Sequence, residues 1–171
     1  PGATVVSNLG HQDLRVRRAT IAMLRTQGRD YHLERAVIDR YRDVARRRTS
    51  DNAQERCMLL DILGTVGEEE AIAELIQAIG RDDEMEAAML ALGAIGEKAI
   101  GALLFVVKTG DPKRTPIAVE ALATAGQDAV EPIMKLLRHR SMDVRNVARR
   151  AIIEMGIVEV VPRLIELIKD D

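Results

Sequence analysis

Glycine recurs along this chain at a near-constant interval: Gly28, Gly67, Gly96, Gly126 and Gly156 are separated by 39, 29, 30 and 30 residues. Each closes one apolar-periodic stretch and precedes another. A period of this size marks helix pairs stacked as a solenoid. A solenoid's usual work is binding along an extended surface, not chemistry in a pocket.

Counting back from each glycine fixes the register. Four residues before it stand Leu24, Leu63, Leu92, Leu122 and Ile152; five before it, Met23, Ile62, Ala91, Ala121 and Ala151; eight before it, Thr20, Leu59, Ala88, Ala118 and Ala148. These offsets share one face of a helix. The alanines let a neighbouring helix come close, and the residue at −4 fills the space between repeats. The glycines suit the left-handed cap that ends a helix. Downstream lies a second, broader apolar stripe: Val130, Ile133, Met134, Leu136 and Leu137 after Gly126, and Ile72, Leu75, Ile76, Ala78 and Ile79 after Gly67. Asp111-Pro112 reads as an N-cap followed by proline at the first helical position. Pro116 lies deeper, so that helix is expected to start late or bend. Ser141 or Asp143 is placed to cap the last A helix, and Asp51 or Asn52 the second.

The expected fold is therefore all-α, a right-handed superhelix of about five helix pairs over 1–171, with repeats near 11–48, 51–79, 81–108, 111–138 and 141–169. Residues 1–10 read as the remnant of a preceding helix. No segment alternates with a two-residue period. Tyr31, Tyr41 and Phe105 are the only aromatics, and Trp is absent. Core volume must then come from aliphatics in thin layers. A single cysteine, Cys57, excludes a disulfide framework and a multi-cysteine zinc site, and reads as a small buried hydrophobe. No signal peptide or membrane-length apolar run is visible, so a cytoplasmic protein with no membrane partner is expected. The chain begins Pro1-Gly2-Ala3, which reads as a processed product or an excised piece of something longer. Val158, Val161, Leu164, Ile165 and Ile168 leave the last helix little polar surface. That end either meets another domain, another copy or missing chain, or packs on the fourth repeat.

The net charge of −2 conceals a strong asymmetry: residues 1–50 carry +6, residues 51–100 carry −9, and residues 101–171 carry +1. The basic segment is all arginine, and guanidinium suits carboxylate and phosphate. Intrahelical pairing of Asp39 with Arg35 and Arg42, and of Asp43 with Arg46 and Arg47, would neutralise part of it. Without Trp, and with both tyrosines expected to be packed, base-stacking platforms are lacking. A solvated face or an acidic protein partner is favoured over nucleic acid at the Arg-rich first repeat. The acidic runs Glu68-Glu69-Glu70 and Asp82-Asp83-Glu84 fall at expected helix starts, where they complement the macrodipole.

No Ser/His/Asp set, phosphate-binding glycine loop or metal-ligand spacing is present, so no catalytic, cofactor or metal residue is assigned. His11, His32 and His139 read as surface or cap residues.

The segments Val16-Arg17-Arg18-Ala19 through Gly28, and Asp143-Val144-Arg145 through Gly156, resemble HEAT-like repeats, more narrowly the short repeats named after phycobilisome lyases. The second halves 129–137 and 160–168 resemble that family's second helix. The middle A helices depart from the pattern, with Glu55, Glu84 and Arg114 in place of the valine. The resemblance implies B helices lining a concave wall and a binding role. It also admits an alternative, a component of a bilin-lyase-like enzyme holding a small ligand. Two enzyme branches fail on residues: no His-Glu pair exists to hold the irons of a deoxyhypusine hydroxylase, and no Trp exists for the related DNA glycosylases.

On that wall an aligned column reads Gln77, Phe105, Lys135 and Glu166, with the only Phe among polar neighbours. An exposed Phe there would anchor a partner; the alternative is that it folds against an adjacent repeat. Lys108, Arg138 and Lys169 form a basic ridge, and Arg35, Asp39, Arg42 and Arg46 give the polar face of the first B helix. All of these but Gln77, ten residues, are the candidate protein-binding surface. An open groove would favour a docking module, and a closed pocket with convergent polar groups a small-ligand protein.

Overall fold

The computed structural model describes residues 6–11, 13–27, 31–156, 161 and 165. These form nine α-helices, with short 3₁₀ turns before the first helix, between the fifth and sixth and between the seventh and eighth, and no strand among the described residues. The chain divides into two compact units, residues 1–91 and 92–171.

In the first unit, α1 (Leu14–Gln27), α2 (Tyr31–Arg46), α3 (Ala53–Val66) and α4 (Glu69–Ile79) follow a short 3₁₀ turn at Asn8–Gly10. Leu33, Val37, Ile38, Tyr41 and Val44 line one side of α2 and are buried, as a helical period requires. That side packs on α3 and α4. Helix α5 (Met85–Ile95) runs across the division. The second unit continues with α6 (Ile100–Thr109), α7 (Arg114–Thr124), α8 (Val130–Leu136) and α9 (Met142–Met155). Here α7 packs against α6, α8 and α9.

The expected buried face is present. Leu24, Leu63, Leu92 and Leu122 at −4 are wholly buried, as are Leu59, Ala88, Ala118 and Ala148 at −8. Met23 departs from it with 40% exposure, and Ile152 is half-buried. Helix approach is closest where an alanine at −5 meets a glycine at −3 of the repeat before. A Cβ on Gly64 would lie 2.7 Å from Ala91 Cα, and one on Gly93 would collide with the Ala121 carbonyl oxygen and Thr124 Oγ1. The same offsets thus recur in both units, and backbones meet without a side chain between them.

The repeat-marking glycines do not adopt the expected left-handed helical cap. Gly96, Gly126 and Gly156 have φ of 87°, 89° and 93° with ψ of −139°, −160° and 136°, a reversed extended conformation open essentially to glycine alone. Gly67 is ordinarily extended, and Gly28 lies outside the described residues. The left-handed cap instead falls at Gly110, closing α6.

Helix starts also shift. Asp111 caps as expected, its Oδ1 accepting the N–H groups of Lys113 and Arg114 at 2.9 and 3.1 Å, but α7 begins only at Arg114, so Pro116 falls in its first turn. Ser141 and Asn52 occupy N-cap positions without a side-chain bond to the first backbone N–H groups of their helices; Asn52 Oδ1 accepts the Arg56 side chain instead. In α4, Ile76 of the expected apolar stripe is 46% exposed, and Glu74, outside that stripe, is only 7% exposed. Val6 and Leu9 are buried; residues 1–5 lie outside the described residues.

Candidate protein-binding surface

The arginines of α2 pair across helices with the acidic stretch that follows, not chiefly along their own helix as expected. Arg35 reaches Glu70 at 3.1 Å and Asp39 more loosely at 3.9 Å. Arg40 bonds Glu55 at 2.6 Å, and Arg42 places both Nε and Nη2 on Glu74 Oε1. Asp43 meets Arg40 at 3.8 Å, not Arg46 or Arg47. The +6 and −9 segments therefore meet within one unit. Glu70 and Asp39 raise the Arg35 pKa further above its usual value.

Behind this layer lies a buried polar centre. Glu84 is 1% exposed; it accepts Tyr41 Oη at 2.5 Å, Arg56 Nε at 2.6 Å and Arg48 Nη1 at 2.8 Å. Arg56, 2% exposed, also donates to Asp83 at 2.6 Å. Burial, then the bond to Glu84, pushes the Tyr41 hydroxyl well above its ordinary pKa, so it stays a donor. The run Asp82-Asp83-Glu84 thus does more than face a helix dipole. At α4, Glu69 and Glu70 stand in the first turn as expected, and buried Glu34 of α2 adds to them, accepting the N–H groups of Glu68 and Ala71, both at 2.8 Å.

Over this centre opens a shallow, solvent-facing hollow of about 430 Å³, between α2 and α4 and the turn after α4. Arg42, Ala45 and Arg46 form one side, Glu74 and Gln77 the other, and Arg81 and Tyr41 close the end. Arg81 Nη1 donates to Tyr41 Oη at 2.9 Å and to Glu84 at 3.4 Å. Of the sequence candidates, Arg42, Arg46 and the column residue Gln77 come together here. Arg35 and Asp39 are exposed outside it. Arg81 and Glu74 escaped the sequence reading, since the turn and the apolar stripe hid them.

In the second unit Phe105 is 68% exposed and does not fold against a neighbouring helix. Lys108 and Arg138 are exposed, and Lys135 pairs with Glu131 at 2.8 Å. Glu166 and Lys169 lie outside the described residues. A second hollow, of about 370 Å³, lies between the start of α7 and α9, lined by Gly110, Thr115, Pro116, Asn146, Val147 and Arg150 among others. Thr115 Oγ1 is buried without a hydrogen-bond partner among the described residues.

Two other expectations are corrected. Tyr31 is 60% exposed, because it starts α2 on the solvent side. Cys57 is half-buried rather than buried, with Sγ 3.3 Å from the Asp83 carbonyl. Burial and the charges of Glu84 and Asp83 push its thiol pKa up, which disfavours the thiolate. No cluster of metal-binding side chains occurs among the described residues, and no described helix is long and apolar enough to cross a membrane.

No protein-family model matches the chain, and a search of curated proteins finds no match.

Proposed function

We propose that this chain is a non-catalytic interaction module, a HEAT-like stack of helix pairs, and that the α2/α4 wall receives an acidic segment of a protein partner. The recurring glycine–alanine approach supports the stack. The observation that carries the docking role is the charge of the hollow: Arg42, Arg46 and Arg81 face a space whose only lining acid is Glu74. Arg46 makes no ion pair among the described residues, so its charge is available to a partner. An open basic wall of this kind steers and orients an acidic surface.

The test is a peptide array of acidic, neutral and basic sequences probed with the intact protein. Acidic peptides should be retained selectively, and Arg46→Glu should abolish that selectivity. Retention of all three classes alike, or of acidic peptides equally by parent and variant, would overturn the docking role.

A second reading, a small-ligand protein, has one observation in its favour: the unsatisfied Thr115 hydroxyl beside the α7/α9 hollow. A buried hydroxyl without a partner costs stability that a bound polar group would restore. A small molecule that raises the melting temperature of the parent but not of Thr115→Val would establish it.

A further inference from the structure

We infer that the α2/α4 hollow is a receptor for a phosphate monoester carried on a serine or threonine of the partner; this rests on the docking role proposed above. The hollow presents unspent donors and uncancelled charge. The lining holds three arginines and one carboxylate. Glu74 is matched by Arg42, which uses Nε and Nη2 and leaves Nη1. Arg81 spends Nη1 on Tyr41 and Glu84 and leaves Nη2 and Nε. Behind it Glu84 and Asp83 are shared among Arg48, Arg56 and Arg81, so two carboxylates face three guanidiniums. With Arg46 unpaired, the lining itself holds three guanidiniums against one carboxylate, a formal excess of two positive charges.

That excess equals the charge of a phosphate monoester at neutral pH, about −1.5 to −2. A carboxylate brings half of it and two oxygens; a phosphate brings three acceptor oxygens for three planar donors. Gln77 adds a neutral amide, and Ala45 leaves the mouth unobstructed. The volume lies in the ~300–1,000 Å³ range of small-ligand sites.

The experiment titrates the whole protein with inorganic phosphate, and with one peptide in three forms: serine, phosphoserine and glutamate at a single position. Isothermal calorimetry and amide NMR shifts report binding. Phosphoserine should bind roughly tenfold tighter than glutamate, as the second charge and third acceptor predict. Inorganic phosphate should saturate shifts in α2 and α4, and Arg46→Ala should weaken both phosphate ligands roughly fivefold. Arg15→Ala, at a residue 93% exposed and outside the hollow, should change neither.

If the glutamate peptide binds as tightly as phosphoserine, or Arg15→Ala weakens phosphate as much as Arg46→Ala, the phosphate receptor is refuted while acidic docking stands. If phosphate ligands bind as expected but no glutamate or aspartate peptide is retained, the receptor stands and general acidic docking fails. If neither class binds, both fall.

Discussion

The first unit buries Glu34, Arg56, Glu74 and Glu84, whereas every buried residue described in the second is apolar except Thr115. Among the described residues its ion pairs Asp111–Arg114 and Glu131–Lys135 each span one turn of one segment, while the first unit adds to such local pairs others that tie α2 to α3 and to α4, and α3 to the turn before α5. Both units carry the same close approach between A helices, at Gly64–Ala91 and at Gly93–Ala121. One repeat register therefore supports two kinds of cohesion. Aliphatic stripes hold by area and shape, and tolerate any neighbour of the right volume. Charges buried between helices hold only while both partners are in place, because each alone is an uncompensated charge in a poor solvent. The first unit is thus the more exacting in its partners, and the leftover positive charge at its surface is a by-product of that arrangement.

The sharpest way to break the contrast is Glu84→Ala. It takes from Arg56 its buried carboxylate and leaves it the partly exposed Asp83; burial alone would lower the Arg56 pKa, and the bonds to Glu84 and Asp83 raise it on balance. Loss of one partner of a buried pair costs about 3–5 kcal/mol. We predict a loss of that size in urea unfolding, with amide protection falling first in α2 and α3. A loss below about 1 kcal/mol would mean that water already solvates the centre.

The second unit should answer instead to steric change. In Gly93→Ala the new methyl meets the Ala121 carbonyl oxygen, a backbone atom that no rotamer change can move. Overpacking of this kind costs about 1–3 kcal/mol. Gly101, in the exposed start of α6, has nothing within 4 Å of an added Cβ. Gly101→Ala should therefore be neutral or stabilise by up to about 1 kcal/mol. Equal melting temperatures for the two variants would show that the close approach carries no packing energy.

These features differ in how far the sequence discloses them. The buried face at −8, −5 and −4 follows from helical periodicity alone, and it holds in full through the three middle repeats. Glycine stands at −3 in two repeats, as Gly64 and Gly93, and its role appears only when the next repeat's alanine is set against it. Arg56 was legible in principle: 56, 59, 60 and 63 share a helix face, so a charge on that face demands a partner. Which partner could not be read, since Glu84 lies 28 residues on and reaches Arg56 through the fold. Glu34 is harder still, because a side chain that caps a different helix leaves no local motif. The α2/α4 hollow was half legible: the polar face of α2 supplies Arg42 and Arg46, and tertiary packing brings Arg81 and Gln77 beside them.

Acid should separate the units by the smallest margin. Burial pushes the Asp83 carboxyl up, but the bond from Arg56 and the charge of Arg48 outweigh it and hold the pKa below the usual range. A lowered native pKa stabilises fully above the ordinary carboxylate value of ~4, and the gain disappears as pH falls through the lower native value. With a side chain 46% exposed, Asp83 contributes no more than about 1 kcal/mol. Asp111 is lowered as well, by the N–H groups of Arg114 and Lys113, so its sign is the same. The consequences differ. Protonating Asp83 removes a tie between α3 and the turn before α5, whereas protonating Asp111 frees two N–H groups to water at one helix end. As pH falls below about 4, therefore, hydrogen-exchange protection should fall in α3 before α7, and Asp83→Asn should flatten that fall without altering α7. Earlier loss in α7 would place the acid-sensitive element in the aliphatic unit and reverse the assignment of cohesion to charge in one and shape in the other.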